Sequence, residues 1–284
     1  MSRRLSIAFF GSSLVSSYWN GAATYYRGLI RALDERGHRV TFYEPDAYER
    51  QAHRDIDDPP WARVAVYAPT PDAARAMLDQ ARGSDVVVKT SGIGVLDGWL
   101  EGAVLDLQKD GSLVGYWDVD APATLERVCG NPGDRFRAFI PRYDFVYTYG
   151  GGDPVVRGYR ALGAARCAPI YNALDPTTHF PVPPVPRYAC DLALLANRLP
   201  DREERIGAFF LDAARRLPES SFLLGGNGWE GSGLPENVRA IGHLPTAEHN
   251  AFNCSPAAVL NVSRDSMARF GFSPATRVFE AAGA

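Results

Sequence analysis

Two aspartates, Asp118 and Asp120, stand two positions apart at the end of the apolar run 113–117. A pair of carboxylates after a buried strand could hold a divalent cation against a diphosphate. One of the two could instead act as a general base toward an acceptor hydroxyl. The third role is structural, in which they cap the turn before Pro122 and Thr124. So short a pattern leaves all three roles open, and Asp118 and Asp120 are the candidate catalytic residues.

The polar segment 11–21 joins the first apolar run to the first run with helical spacing of its apolar residues. Its glycines do not follow GxGxxG, and it contains neither Gly-Lys-Ser nor Gly-Lys-Thr, so a dinucleotide cofactor and a P-loop are both disfavoured. We expect a long loop aimed at a helix N-terminus, where backbone N–H groups and the helix dipole favour an anion. The alternative is a surface loop in which Asn20 caps the helix.

Glycine clusters and arginines are the remaining candidates for ligand contact. The triplet 150–152 and the pair 225–226 could let a ligand approach the backbone, although tight turns explain them equally well. A guanidinium forks onto two phosphate oxygens, and four arginines are candidates for that role: Arg198, Arg202, Arg264 and Arg277. The five histidines show no metal-ligand spacing and the four cysteines form no CxxC pair, so we predict no metal site and free thiols.

Alternating strands and helices must position these residues. Apolar or β-branched runs predict strands at 5–10, 38–43, 84–89, 113–117, 143–148 and 166–170. Helical spacing predicts helices at 22–36, 73–82 and 102–108, and Gly37 stands where the first helix should end. This alternation is typical of a doubly wound parallel sheet, whose ligands lie at the carboxyl ends of the strands.

A proline-rich segment, 181–186, holds four prolines and is the expected domain boundary. A second α/β series follows it, with strands predicted at 191–195, 221–225, 238–242 and 257–261 and helices at 203–216, 246–252 and 274–282. The sequence therefore predicts two tandem Rossmann-like domains, the second incomplete. Their expected bounds are 1–180, a linker at 181–187, and 188–284.

Composition excludes several other classes of protein. The chain has 284 residues, 46% of them apolar and 22% charged, with a net charge of −3. A balance of this kind gives no basic surface for nucleic acid. No apolar run is long enough for a membrane span, and the run 5–10 is shorter than a signal-peptide core. We therefore expect a cytoplasmic protein with no nucleic-acid partner and no integral membrane segment.

An ordered set of segments resembles the CgeB-like glycosyltransferases, a family named for a spore-maturation protein. Segment 118–125, Asp-Val-Asp-Ala-Pro-Ala-Thr-Leu, is similar to the family's "DIDTPVTL" stretch. The other matching segments follow in family order over nearly the whole chain: 11–27, 37–42, 53–55, 141–144, 150–152, 174–176, 243–245, 248–249, 260–264, 271–274 and 277–282. The stretch at 150–153 and Asn172 depart from the family pattern, which leaves the acceptor undetermined.

The resemblance implies a GT-B fold, with the acceptor on the N-terminal domain and a nucleotide sugar on the C-terminal domain. It gives Glu280 the role of bonding the ribose hydroxyls, and it places the loop 261–264 and Arg277 near the diphosphate. The predicted donor-binding residues are Glu280, Arg277, Arg264, Asn261, Ser273, Gly225, Gly226 and Arg198. The predicted acceptor-side residues are Gly11, Asn20, Gly21, Thr24, Gly150 and Gly151. The nucleotide sugar is a substrate, and neither a cofactor nor a metal is expected.

Three functions remain open on this basis. The leading hypothesis is a metal-independent glycosyltransferase acting on an unknown acceptor. The alternatives are a catalytically silent GT-B-like module that binds a sugar or nucleotide or serves a structural role, and a metal-dependent GT-A enzyme built on Asp118 and Asp120. Because the last helix begins near Pro274 and a βαβ unit needs a further strand, we expect the natural chain to continue for roughly 70–100 residues.

Overall fold

A computed structural model describes residues 3–231 and 233–284 of the chain. These residues form two compact units, each built on its own parallel sheet. The first unit runs to Tyr171 and also includes Phe270–Ser273. The second comprises Asn172–Arg269 and Pro274–Ala284.

The described part of the first unit holds a seven-stranded sheet in the order β3-β2-β1-β4-β5-β6-β7, with every neighbouring pair parallel. The strands are β1 Ser6–Phe10, β2 Arg39–Pro45, β3 Arg63–Tyr67, β4 Val86–Thr90, β5 Leu113–Asp118, β6 Phe145–Thr148 and β7 Cys167–Pro169. Alternate residues of β1 enter opposite layers of the core: Ala8 and Phe10 pack in one, Ile7 and Phe9 in the other. Burial on both faces explains why the sequence of this strand is continuously apolar.

Helices connect these strands, and several begin or end where the sequence predicts. The α-helices are α1 Ala23–Glu35, α2 Pro71–Ala81, α3 Asp97–Ala103, α4 Ala121–Gly130, α5 Phe136–Phe139 and α6 Gly152–Ala161, with 3₁₀ turns at Val104–Asp110 and Ile140–Arg142. Thr70 caps α2 by accepting from Ala73 N at 3.3 Å. Gly37 follows α1 at φ +85° and donates its N–H to Asp34 O, as expected for a helix end.

The second unit has a four-stranded parallel sheet within the described residues, in the order β10-β9-β8-β11. Its strands are β8 Leu192–Leu195, β9 Phe222–Gly225, β10 Val238–Gly242 and β11 Ala258–Leu260. Its α-helices are α7 Pro200–Ile206, α8 Asp212–Arg216, α9 His249–Cys254, α10 Asp265–Phe270 and α11 Thr276–Gly283. The π-helical turn Gly207–Leu211 joins α7 to α8, so the helix predicted at 203–216 is one helical run with a bulge.

The division between the units differs from the predicted boundary after residue 180. It falls between Tyr171 and Asn172, and the proline-rich segment 181–186 lies in the second unit. Two amides of that segment donate to residues of the same unit, Val182 N to Cys254 Sγ at 3.4 Å and Val185 N to Ser255 Oγ at 2.8 Å. Met1, Ser2 and Ser232, which fall inside the predicted domains, lie outside the described residues. Along the described chain, no helix is both long and apolar enough to cross a bilayer.

Four elements of the first unit have no counterpart in the sequence prediction: β3, α4, the short helix α5 and α6. Strand β3 is a half-exposed edge strand, so its hydrophobic signal is weak. Helix α4 carries a proline in its first turn, and α6 follows a glycine in the left-handed conformation with Pro154 in its first turn. Proline in a first helical turn is favourable, although the same residues next to glycines resemble a loop in the sequence.

Candidate functional site

The carboxyl ends of parallel strands lie at one edge of a sheet, and the loops that follow them are the expected ligand sites. In the first unit, the loop 11–21 after β1 lies at this edge and is largely buried. Glu44, near the end of β2 and fully buried, accepts from Ser13 Oγ at 2.9 Å and Leu14 N at 2.6 Å. Burial raises the pKa of Glu44, while these hydrogen bonds oppose the shift. A buried acid on β2 therefore holds the loop in place through hydrogen bonds.

The Asn20 side chain forms hydrogen bonds within this loop and does not cap the helix. Its amide donates to the carbonyls of Ser13 at 2.8 Å and Ser16 at 2.9 Å, and its oxygen accepts from Ser12 Oγ at 2.9 Å. Helix α1 is preceded by Ala22, with no side-chain cap in the described residues. The expected surface loop capped by Asn20 is thus wrong, because the Asn20 side chain satisfies buried backbone groups instead.

Several backbone amides of this loop already donate to side chains of the protein. Ser16 N, Ser17 N and Tyr18 N donate to Ser13 Oγ, Asp55 Oδ1 and Ser16 Oγ at 3.0–3.2 Å. An anion would have to displace these bonds, which argues against the predicted anion site. Of the other predicted residues here, Gly11 packs against the Phe42 ring, Gly21 is exposed and Thr24 is half-buried in α1.

A buried ion pair, which the sequence analysis missed, anchors the same loop. Arg27 on α1 contacts both carboxylate oxygens of Asp55, at 2.6 and 3.1 Å, and its Nε donates to Leu14 O at 2.7 Å. The two side chains are only 6% and 10% exposed. Asp55 also accepts from the hydroxyl of Ser17 at 2.9 Å. The sequence signalled it only in that Arg27 and Asp55 each fall in a family-like segment, 11–27 and 53–55.

Asp118, the first candidate catalytic residue, is completely enclosed. Its Oδ1 accepts from Ser91 Oγ at 2.8 Å, Thr124 Oγ1 at 3.0 Å and Asp120 N at 3.0 Å, and its Oδ2 accepts from the hydroxyl of Tyr159. Burial raises the pKa of Asp118 despite these four donors. A carboxylate with no exposed surface cannot take a proton from an acceptor or bind a cation in this conformation. The geometry fits the third role, capping of the turn after β5.

Asp120, the second candidate, is half-buried immediately before α4, and its backbone oxygen accepts from Thr124 N at 3.0 Å. Its charge contributes to raising the pKa of Tyr26 and Tyr149, although burial is the main cause for both. Asp118 and Asp120 therefore do not converge as two exposed carboxylates. Among the described residues at the end of β5, no two carboxylates are placed to bind a cation together.

The loops after β2 and β4 meet around Arg50 and Tyr48. Arg50 is 5% exposed and donates to Ser12 O at 3.3 Å and Ile93 O at 3.1 Å. Tyr48 adopts a left-handed φ of 56°, lies under the Arg50 guanidinium at 5.1 Å and donates its hydroxyl to Gly94 O at 2.8 Å. Left-handed backbone at a non-glycine residue is held only by surrounding contacts, so this edge of the first unit is rigidly specified.

Gly150 and Gly151, predicted on the acceptor side, are approached by backbone of the segment Phe270–Ser273. Gly151 N donates to Phe272 O at 2.7 Å, and a Cβ on Gly150 would lie 3.0 Å from the same oxygen. Ser273 belongs to this group and not with the other predicted donor-binding residues. The glycines are thus required by a close contact within the first unit.

In the second unit, the ends of β8 and β9 are joined by direct contacts. Gly226 adopts φ +115°, and a Cβ there would come within 2.2 Å of Ala196 O. Trp229 Nε1 donates to the same oxygen at 2.7 Å, and Asn227 N donates to Asn197 Oδ1 at 2.9 Å. Gly225 lies directly before, against Leu195. These contacts account for both glycines as tight packing of strand ends.

Two predicted donor-binding arginines lie after strands of this sheet and pair with acids of α7. Arg264 Nε lies 2.5 Å from Asp201 Oδ2, with the side chains 26% and 36% exposed. Arg198 pairs with Glu203, and both remain more than a third exposed. Asn261, directly after β11, is half-buried. Each arginine is therefore partly exposed and paired with a carboxylate that is also partly exposed.

The other predicted residues, Glu280 and Arg277, lie in a buried group with His179 and His249. Glu280 Oε2 is 3.2 Å from Arg277 NH1, and Oε1 is 3.7 Å from His179 Nε2. The exposures of His179, His249 and Glu280 are 2%, 7% and 4%. Burial lowers the pKa of His249 to about 3, with Arg277 adding to the shift. Two histidines 70 positions apart meet here, which spacing alone did not indicate.

Comparison with known proteins identifies the fold of the chain. Residues 202–284 match the family described as glycosyl transferase-like. No curated protein sequence matches the chain significantly. A sucrose-phosphate synthase from Thermosynechococcus elongatus is 15% identical, with a TM-score of 0.65 over 90% of this chain and 75% of that one.

Two further solved structures give the same result. Anabaena Alr3699/HepE in complex with UDP and glucose is 13% identical, with a TM-score of 0.56 over 87% of this chain and 72% of that one. An alpha-glucosyltransferase in complex with UDP and DNA is 10% identical, with a TM-score of 0.62 over 91% and 74%. The predicted fold class is confirmed: the chain has the α/β GT-B glycosyltransferase fold, with two Rossmann-like sheets.

Proposed function

We propose that this protein transfers a sugar from a nucleotide-sugar donor to an acceptor, and that its second unit binds the donor. The match of residues 202–284 to the glycosyl transferase-like family carries the proposal. Those residues contain β9, β10 and β11 with the loops that follow them. The fold adds support, because two proteins that share it were solved with UDP.

The donor diphosphate is proposed to contact Arg198 and Arg264. Both follow strands of the second sheet, both are partly exposed, and both are paired with an acid on α7. A diphosphate offers a guanidinium more oxygens and more charge than one carboxylate, so it can replace Asp201 and Glu203 as the partner. Since arginines would meet the diphosphate charge, we propose that the transfer step needs no divalent cation.

Glu280 is not part of this proposed donor contact. The resemblance implies that it bonds the ribose, and that role stays a prediction because its carboxylate is directed toward His179 and Arg277 and the residue is 4% exposed. A ribose contact would require the side chain to rotate outward. Donor binding through the arginines does not depend on that rotation.

Calorimetric titration with UDP, ADP, GDP and UDP-glucose tests the proposal. We expect one nucleotide to bind and Arg264→Ala to weaken it at least tenfold, about 1.4 kcal/mol. Arg215→Ala is the matched control, because Arg215 forms a similar exposed ion pair with Asp212 in the same unit. Absence of binding to all four compounds, or equal affinity of the two variants, would contradict the donor site.

A second candidate function is nucleotide-sugar binding without transfer. The enclosed carboxylate of Asp118 favours it, because this candidate base has no surface to offer an acceptor. Product analysis separates the two functions: donor hydrolysis or transfer to a panel of hydroxyl acceptors supports the enzyme. Tight nucleotide binding without either reaction supports the binding module.

A further inference from the structure

His179, His249 and Glu280 come together in the interior of the second unit from three separate parts of the chain. His179 precedes the proline-rich segment 181–186, His249 begins α9, and Glu280 lies on α11. Each offers one ligand atom, and these atoms all lie within 4.8 Å of one another. The rings of the two histidines are 5.8 Å apart.

The hydrogen bonds of His179 define which ring nitrogen carries its proton. The hydroxyl of Thr178 lies 3.1 Å from Asp175 O, a carbonyl that can only accept, so the hydroxyl proton is used there. The same hydroxyl lies 3.0 Å from His179 Nδ1 and must accept from it. His179 Nε2 is then a lone pair, buried and without a hydrogen-bond partner in the described residues.

His249 offers a second buried ring nitrogen without a hydrogen-bond partner among the described residues. The backbone of Leu244 opposes the lowering of its pKa, and Nδ1 is buried with no hydrogen-bond partner in the part of the chain described. Burial lowers the pKa of His179 as well as that of His249. The cluster therefore holds two buried ring nitrogens without hydrogen-bond partners among the described residues, beside a carboxylate. Buried polar atoms of this kind are costly unless a hydrogen-bond partner or a cation satisfies them.

We propose that His179, His249 and Glu280 bind a divalent transition-metal ion, with Zn²⁺ the expected occupant. Two imidazoles and one carboxylate are a zinc ligand set, whereas Mg²⁺ and Ca²⁺ prefer oxygen ligands alone. Zinc–ligand distances of about 2.0–2.2 Å require the three atoms to draw together by roughly an ångström. The ion would tie α9 and α11 to the segment before the prolines, a structural role that leaves the proposed metal-free transfer unchanged.

The surroundings of the three residues match what metal ligands need. The Nδ1 of His179 lies 3.0 Å from Thr178 Oγ1, the kind of outer contact that orients a ligating histidine. Arg277 NH1 lies 3.2 Å from Glu280 Oε2, and Glu280 Oε1 lies 3.7 Å from His179 Nε2. The Arg277 charge lowers affinity for any cation, so we expect a weaker site than three such ligands would form without it.

The test uses Zn²⁺ itself on the full chain, in competition with a chromophoric chelator. We expect one ion per protein, and at least tenfold weaker binding in His179→Ala and in His249→Ala. His53→Ala is the control, because His53 lies in the first unit and outside the cluster. Equal zinc affinity in the two cluster variants and the control would overturn the proposal, as would no binding by the unaltered protein.

A second measurement guards against variants that fail to fold. Co²⁺ added to the unaltered protein should give the visible bands of a four-coordinate site with nitrogen ligands, and excess Zn²⁺ should abolish them. A featureless hydrated-ion spectrum would overturn the proposal. UDP titration of the same samples keeps the inferences separate: nucleotide binding without zinc removes only the metal site, and zinc without nucleotide removes only the donor site.

Discussion

Each sheet carries polar residues at the carboxyl ends of its own strands, called here the first edge and the second edge. The two edges differ in how far these residues are buried and hydrogen-bonded. In the first unit, Glu44 and Asp118 are buried and the Asp55 side chain is 10% exposed. Each of the three accepts three or more hydrogen bonds from protein groups. In the second, Arg198 and Arg264 are partly exposed and each forms an ion pair with an acid of α7 that is itself partly exposed. A saturated polar network fixes a loop, whereas an exchangeable ion pair can give way to a ligand. The contrast indicates a first edge fixed by its own hydrogen bonds and a second edge whose arginines could exchange a carboxylate for a ligand.

The buried pair of Arg27 and Asp55 is the most sensitive point of the first edge. Arg27→Ala would remove the guanidinium that contacts both carboxylate oxygens of Asp55, and Leu14 O would lose its donor. We expect a loss of about 3–5 kcal/mol in the free energy of unfolding, the usual cost of breaking a buried ion pair from one side. Urea denaturation measures it. A loss below about 1 kcal/mol would mean that this edge is not rigidly specified.

Asp118→Ala separates the structural role of that residue from the catalytic one. Removing the carboxylate leaves the buried hydroxyls of Tyr159 and Ser91 without their acceptor, at about 1–3 kcal/mol for each unsatisfied group. We expect a loss of about 3 kcal/mol, against less than about 1 kcal/mol for the half-buried Asp120→Ala. Unchanged stability of Asp118→Ala with abolished sugar transfer would restore the catalytic reading.

Acidification should act oppositely on the two regions. Burial lowers the pKa of His249 from its ordinary 6.5 to about 3, so the unfolded chain takes up the proton first. The stability that this histidine contributes is complete above 6.5 and is lost as pH falls toward 3, at about 1.4 kcal/mol per pH unit. The raised pKa values of Glu44 and Asp118 have the reverse sign, because stability from those acids is present at low pH and lost as pH rises through the raised values.

Hydrogen exchange read separately over the two units at pH 7 and pH 5 measures this difference. We expect peptides of the second unit to lose protection at pH 5 relative to those of the first, after correction for intrinsic exchange. His249→Gln, which cannot titrate, should reduce the loss. Equal loss in both units would contradict the contrast.

The sequence predicted most strands of both sheets but not which polar residues meet. Alternation of apolar runs and glycines located β1 and β8, because buried parallel strands are continuously apolar. It did not locate β3, a half-exposed edge strand. The pairing of Arg27 with Asp55 and of His179 with His249 depends on tertiary contacts between distant segments, and no local period encodes those contacts. For this reason single motifs such as Asp118–Asp120 were open to several roles until burial was known.

The smallest expected effect tests whether a ligand can replace Asp201 as the partner of Arg264. Asp201→Asn removes the charge that holds Arg264, and both side chains are at least a quarter exposed. A pair this accessible is worth less than about 1 kcal/mol, so we expect stability to change little. If a diphosphate competes with Asp201 for the guanidinium, the variant should bind nucleotide a few-fold more tightly than the unaltered protein.

Asp212→Asn, which releases Arg215 in the same unit, should leave affinity unchanged. Weaker nucleotide binding in Asp201→Asn would show instead that the acid orients Arg264 for its ligand, and the second edge would then resemble the first in being fixed by its own carboxylates.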